Sequence, residues 1–341
     1  MSKGIGDTGG FAEMATFVRS FQISRMISVA ASLGIADRLA EAPQPADRLA
    51  QECGADPGMF LRLCRALAAF GIFTVDNEDN VAHSDHSRWL RTDAVPTLHY
   101  AARYWGMPST WTTWGELEQA IRTGKAPFEE IFGRPYFDYL KMNPADAEIF
   151  ESFMRHSPDD RHAAVVEAYD FSGKEVVDVG GGNGALLAAI LEANADAKGL
   201  LFDQQAVVAS AGEVLGKHSD RCKIQSGDFF DSLPAGGDIY TLSQILHDWS
   251  DEACLKILSN CKAAMSEAAR LLVIERVLEV EPSRSLALNF LSDMHMMMMF
   301  PGAKERAPAE FSQLFRQAGF ADPRIIPTRS VFCVLETRLL G

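Results

Sequence analysis

Residues 175–184, EVVDVGGGNG, run straight into the apolar stretch ALLAAILEA and constrain the chain more than any other segment. Glu175 to Val179 reads as a short buried strand that breaks into glycines and then enters a helix. Glycine lets a backbone approach a ligand closely and takes φ angles that other residues avoid. The helix behind the glycines offers unpaired N–H groups. The spacing is Asp178-x-Gly180-x-Gly182-x-Gly184. A dinucleotide fingerprint also fits Gly180, Gly182 and Ala185, so these glycines leave a nicotinamide or flavin enzyme open.

A chain of 341 residues is long enough for two domains, and 47% hydrophobic residues can fill large cores. The net charge of −14 argues against nucleic acid and anionic membrane surfaces as partners. Cys53, Cys64, Cys222, Cys254, Cys261 and Cys333 form no CxxC pair and read as reduced core thiols. The polar start MSKGIGDTGG carries no apolar signal segment. No uncharged run reaches the roughly 20 residues that cross a bilayer. The expectation is a soluble, cytoplasmic protein without a membrane span.

Residues 11–33 place Phe11, Met14, Phe17, Val18, Phe21, Met26 and Ile27 on a helical stripe too wide for one face. Packing against a second subunit and packing on the chain's own domain both fit. Two amphipathic helices follow, split by a turn at Gly54, with Asp56 as N-cap and Pro57 at the first helical position. IFTVDNEDNVAHS then reads as a hairpin, which completes a winged-helix-like pattern. Residues 44–94 carry eight acidic and five basic residues, whereas a DNA reader needs phosphate-neutralising charge. The module therefore reads as a scaffold or dimerisation unit. Residues 95–172 look helical, with loops expected at Pro108, Pro127, Pro135 and Pro144.

From residue 173 strands alternate with helices, which predicts a parallel, doubly wound sheet. Strands are expected at 175–179, 199–202, 222–225, 238–243 and 270–275, and helices near 185–194, 205–217, 252–265, 284–299 and 308–318. The final segment PRIIPTRSVFCVLETRL holds two strands with a short turn near Thr328, and a short turn permits only antiparallel pairing. Ligands of such sheets bind beyond the carboxyl ends of the strands. Those ends carry Asp203, Asp228 beside Phe229, His247 and Glu275. Each also has an ordinary reading, as a helix cap, a turn former or a solvated charge. Asp248 and Asp251 are expected to cap the next helix.

DVGGGNG, FDQQ, GDFF and LSQILHDWSDEACLKIL, with LLVIERVL and GAKERAPAEF downstream, resemble the S-adenosylmethionine-dependent small-molecule O-methyltransferases. That family includes plant caffeate and flavonoid, acetylserotonin and bacterial tailoring enzymes. The resemblance spans nearly the whole chain. It implies a Rossmann-like class I methyltransferase sheet with an antiparallel last strand, and an N-terminal, mainly helical, winged-helix-like dimerisation domain. The domains would be 1–100 and 101–341, with a helical substrate-pocket segment at 101–172 and the cofactor sheet at 173–341. The implied cofactor is S-adenosyl-L-methionine, the implied partner a hydroxylated small molecule, and the implied assembly a homodimer.

By position, the resemblance gives Gly180, Gly182, Asp203, Gly227, Asp228, Phe229 and Ser243 to the cofactor. His247 matches the family's general base, and Glu275 and Glu305 the carboxylates that bracket it. Met154, Asp293, Met296, Phe300 and Trp105 fall around the acceptor pocket, and no metal is implied. An imidazole titrating near 6.5 is a usable base at neutrality. The chain departs from its relatives in several places. Ser243 and Gln244 stand where Lys or Arg is frequent, Gln204-Gln205 replaces Leu-Pro, and ERT becomes Glu305-Arg306-Ala307. Phe300 and the run Met296 to Met299 suggest a larger or more apolar acceptor. Related folds that bind the same cofactor for other chemistry, and a winged-helix regulator, remain alternatives.

Overall fold

The computed structural model describes residues 8–39, 42–156, 160–209, 211–279 and 281–341; the start of the polar N-terminal stretch, residues 1–7, lies outside them. Two units emerge, and the first is discontinuous: residues 1–115 with 140–158, against 116–139 with 159–341.

In the first unit, helices Thr8–Val18 and Ser20–Ser32 replace the single helix expected over 11–33. The break falls at Arg19, whose φ of −105° and ψ of 4° leave the helical range. Phe11, Met14, Phe17, Val18 and Phe21 all stay exposed on this chain. The winged-helix-like pattern forms as expected. Helix Ala46–Glu52 is followed by helix Pro57–Ala69, where Asp56 accepts from the Met59 N–H at 2.8 Å. Strands β1 (Gln44–Pro45), β2 (Phe73–Val75) and β3 (Asn80–His83) make a small antiparallel sheet in the order β1-β3-β2. Strand β1 has only two residues, too few for any alternation to reveal it. Three prolines expected in loops instead open helices, Pro108–Gly115 and Pro144–Arg155 in this unit and Pro127–Phe132 in the second. Proline has no N–H to lose at a helix start, and its φ is already suitable.

The second unit is built on seven strands: β4 (Glu175–Val179), β5 (Lys198–Asp203), β6 (Cys222–Ser226), β7 (Ile239–Ser243), β8 (Arg270–Glu275), β9 (Arg324–Pro327) and β10 (Cys333–Thr337). Their order is β6-β5-β4-β7-β8-β10-β9. Strands β4 to β8 run parallel, and β10 is antiparallel to both β8 and β9. The mixed sheet expected from the sequence is thus present, with the reversed strand inserted between β8 and β9.

Both faces are covered, which is why the central strands are continuous apolar runs. One face packs Val177, Leu242, Leu271 and Val273 against Ile257, Leu258, Phe311 and Phe315. The other packs Val176, Ile239, Leu272 and Ile274 against Val165, Leu187 and Ile190. Helix Asp251–Ala264 is capped by Ser250, whose Oγ accepts from the Ala253 N–H. The helix expected over 205–217 is divided into Gln205–Val208 and Ala211–Leu215, with a 3-10 turn at Gly216–His218. No helix among the described residues is long and apolar enough to cross a membrane.

Candidate active site

The carboxyl ends of β4, β5, β7 and β8 gather polar groups on one rim of the sheet. After β4 the backbone turns through Gly180 and Gly182, with φ of +66° and +62°, before Gly184 opens helix Ala185–Ala193. A Cβ at Gly180 would lie 2.6 Å from the Ile245 side chain and 3.4 Å from the Phe229 ring, whereas one at Gly182 would meet nothing within 4 Å. The turn is therefore tight on one side and open on the other. Asp203, at the end of β5, accepts from the Gly182 N–H through Oδ2 at 2.8 Å and from the Gln204 N–H through Oδ1 at 2.6 Å. Burial raises its pKa, opposed by these two N–H groups. Gly227 donates to the Asp203 carbonyl at 3.0 Å, and a Cβ there would strike the Phe202 ring at 2.4 Å. That close approach brings Asp228 and Phe229 beside the turn. Asp228 also forms its own turn, accepting from the Phe230 N–H at 2.8 Å.

A glycine cradle with open space, a carboxylate fixed at its edge and an aromatic ring alongside suit a nucleoside bearing a short charged tail. The residues present fit S-adenosylmethionine on these grounds. Beneath the turn, Asp178 is fully buried and accepts from Thr241 Oγ1 at 2.7 Å, and burial pushes its pKa up to about 6. Ser243 ends β7 half-buried. Gln244 follows with φ +55°, rare for a residue with a Cβ.

That backbone leads into the 3-10 turn Leu246–Asp248, which presents His247. His247 Nδ1–H donates to Glu305 Oε1 at 3.2 Å and lies 3.5 Å from Glu275 Oε2. The backbone N–H of His247 donates to Glu275 Oε1 at 3.3 Å. Nε2 is 3.4 Å from Asp248 Oδ1. Both glutamates are buried, and the imidazole keeps 12% of its side-chain surface exposed. Burial opposes the imidazolium, but Glu275, Asp248 and Glu305 outweigh it and raise the His247 pKa to about 10. The expectation of a ring titrating near 6.5 is corrected accordingly: three acidic neighbours favour its proton.

The carboxylates divide. Burial works against the charge of Glu305, yet His247, Arg276 and Ser292 hold its pKa below the usual range. Burial pushes Glu275 up to about 7 and Asp248 up to about 6. Asp248 thus faces the imidazole instead of capping the next helix, a task that belongs to Ser250. Sequence reasoning missed it because neighbouring residues share one ring only where a 3-10 turn folds them together. One nitrogen of His247 and one oxygen from each of Glu275 and Glu305 lie within 4.8 Å of one another, a spacing that could also hold a metal ion. Among the described residues, Oε2 of Glu275 and Oε2 of Glu305 are buried without a hydrogen-bond partner.

The other residues singled out in the sequence are divided between the two units. Trp105 and Met154 are in the first, where Trp105 meets Phe153 edge-on at 6.1 Å. Asp293, Met296 and Phe300 are in the second. Asp293 Oδ1 accepts from the Glu305 N–H at 2.9 Å and so fixes the backbone that carries Glu305. Met296 is buried. Phe300 stacks on Phe137 and meets Tyr136 edge-on, each at 5.5 Å.

Comparisons with known proteins point to one family. A family model described as an O-methyltransferase domain matches residues 114–321, and one described as an O-methyltransferase dimerisation domain matches residues 16–93. The chain is 37% identical over 324 residues to a phenazine O-methyltransferase of Lysobacter antibioticus, covering 94% of each. It superposes on the mitomycin 7-O-methyltransferase structure with a TM-score of 0.91, at 31% identity, over 97% of this chain and 98% of that one. An O-methyltransferase of neocarzinostatin biosynthesis, solved with S-adenosylmethionine and 2-hydroxy-5-methyl naphthoic acid, gives a TM-score of 0.81 at 31% identity, over 93% and 96% of the two chains.

Proposed function

Because the chain belongs to the O-methyltransferase family, we propose that His247 is the general base of its S-adenosylmethionine-dependent methyl transfer. The protein is an O-methyltransferase acting on a hydroxyl of an aromatic or conjugated small molecule. Gly180, Gly182, Asp203, Gly227, Asp228, Phe229 and Ser243 hold the cofactor, which supplies an already activated methyl group.

The observation that carries the base assignment is the imidazole braced on Nδ1 by Glu305 and Glu275. Donation from Nδ1–H to Glu305 fixes the tautomer, so Nε2 is the nitrogen that takes the acceptor's hydroxyl proton. The buried glutamates stabilise the imidazolium as it forms. Asp248, next to Nε2, shares that proton or a donor on the acceptor. Once deprotonated, the oxygen needs only alignment with the methyl group.

Of the relatives named above, two are named for phenazine and mitomycin methylation, and the third was solved with a naphthoic acid bound. Together with Met296, Phe300 and the aromatic rings packed on Phe300, this supports a fused or extended aromatic acceptor. Asp293, on the same helix as Met296, belongs to the same reading. The division near residue 100 is supported by the two matched regions, 16–93 and 114–321. Exposed Phe11, Met14, Phe17, Val18 and Phe21, next to and within the matched dimerisation region, support a homodimer.

Replacing the ring tests the base. His247→Ala should retain cofactor affinity, measured by calorimetry, while release of S-adenosylhomocysteine with a hydroxylated acceptor falls by about 10²–10⁴-fold. Turnover near that of the native enzyme would sink the assignment.

A further inference from the structure

We infer that Arg306 is a positioning residue for methyl transfer, its guanidinium holding the turn that aims the His247 ring. The inference rests on His247 being the base. Arg306 is 1% exposed, so its charge is retained in the interior only because its donors are matched. Nη1 donates to the Leu246 carbonyl at 2.7 Å and Nη2 to the Trp249 carbonyl at 3.0 Å. Nε and Nη2 both donate to Asp251 Oδ1, at 3.1 and 2.8 Å. One planar fork therefore ties together residues 246, 249 and 251, which flank His247 on both sides. Only arginine offers that many donors in fixed geometry; a lysine ammonium keeps the charge but not the fork.

The fork has a rigid base. The Leu278 N–H donates to the Arg306 carbonyl at 3.0 Å, which anchors residue 306 beyond the end of β8. Two residues earlier, the Lys304 N–H donates to the His247 carbonyl at 3.1 Å. Glu305, between them, takes the imidazole Nδ1–H. Three consecutive residues thus grip the turn by backbone, ring and carbonyls in succession. The turn needs an external hold because it is entered through Gln244 in a left-handed conformation. Asp248, Glu275 and Glu305 all depend on where the ring sits, so a shift of the turn would uncouple the ring from each of them.

The test compares Arg306→Lys, Arg306→Met and His247→Ala in the full-length enzyme. Displacing a reacting group by about 1 Å can cost about 100-fold, so kcat should fall about that far for R306M and about tenfold for R306K. S-adenosylhomocysteine affinity, read by calorimetry, and KM for the acceptor should stay nearly constant. The ascending limb of the pH profile of kcat/KM should move to lower pH, as the ring leaves its carboxylates. If R306M does not fold, R306K carries the test, since it keeps the buried charge. The inference is overturned if R306K and the folded variants keep native kcat and pH profile, or if any loss tracks the folded fraction. Full activity in H247A would instead overturn the base assignment, whereas inactive H247A beside unchanged Arg306 variants removes the positioning inference alone.

Discussion

At neutral pH the surroundings of His247 favour the imidazolium in the free enzyme, because a pKa raised to about 10 leaves little neutral ring at pH 7. The base form is reached as pH rises, so kcat/KM should climb through an alkaline limb well above the ordinary 6.5 of histidine. Glu305→Gln removes one of the charges that raise this pKa. The limb should then move to lower pH, while kcat falls because the imidazolium formed during transfer loses the negative charge beside Nδ1. A pH–rate profile of E305Q against the native enzyme checks both signs; a limb that stays in place would mean that another group titrates. His247, Glu275 and Glu305 were legible in the sequence, since each lies in a quotable motif. Asp248 and Arg306 lie in the same motifs, HDW and KER, but their tasks were not legible. Which way a side chain points from a 3-10 turn, and whether a buried guanidinium meets carbonyls, depends on contacts across about 60 residues of sequence.

Helix Pro308–Ala318 shows how a departure from the family pattern can be tolerated. Ala307 has N-cap geometry, φ −79° and ψ 162°, but no side-chain oxygen with which to cap. Glu310 supplies half of a capping box by accepting from the Ala307 N–H at 2.9 Å. Pro308 needs no partner, and Gly319 closes the helix with φ +85°. Restoring the hydroxyl by Ala307→Ser should stabilise the fold by about 1 kcal/mol. Chemical denaturation would show this as a higher midpoint with an unchanged slope, and an unmoved midpoint would refute it. Elements as a class were readable where period or turn chemistry is strong, as at β4 and at the antiparallel pair β9 and β10. Reading failed at Arg19, where a wide apolar stripe conceals a break between two helices, and at prolines that start helices instead of ending them.

For the whole molecule, the apolar face of helix Thr8–Val18 bears on assembly. Phe11, Met14 and Phe17 are each more than half exposed on a single chain. Exposed patches of this kind mark interaction sites. Met14→Glu combined with Phe17→Glu should shift sedimentation from dimer toward monomer; a double variant that still sediments as a dimer would place the interface elsewhere. The acidic balance of residues 44–94 was legible as a reason to set DNA aside. The interleaved first unit was not: nothing in composition or spacing announces that 140–158 returns to join residues 1–115.

Strand β10 is the last of the seven in chain order, yet it lies between β8 and β9 in space. While a nascent chain is being made, β8 and β9 each have a bare edge with no neighbour to pair. Their N–H and C=O groups find partners only when Cys333–Thr337 arrives and slots between them. Until then those edges invite pairing with other chains. Translation that stalls before residue 333 would therefore release a product prone to clumping, although every group of the proposed cofactor cradle and base had already been synthesised.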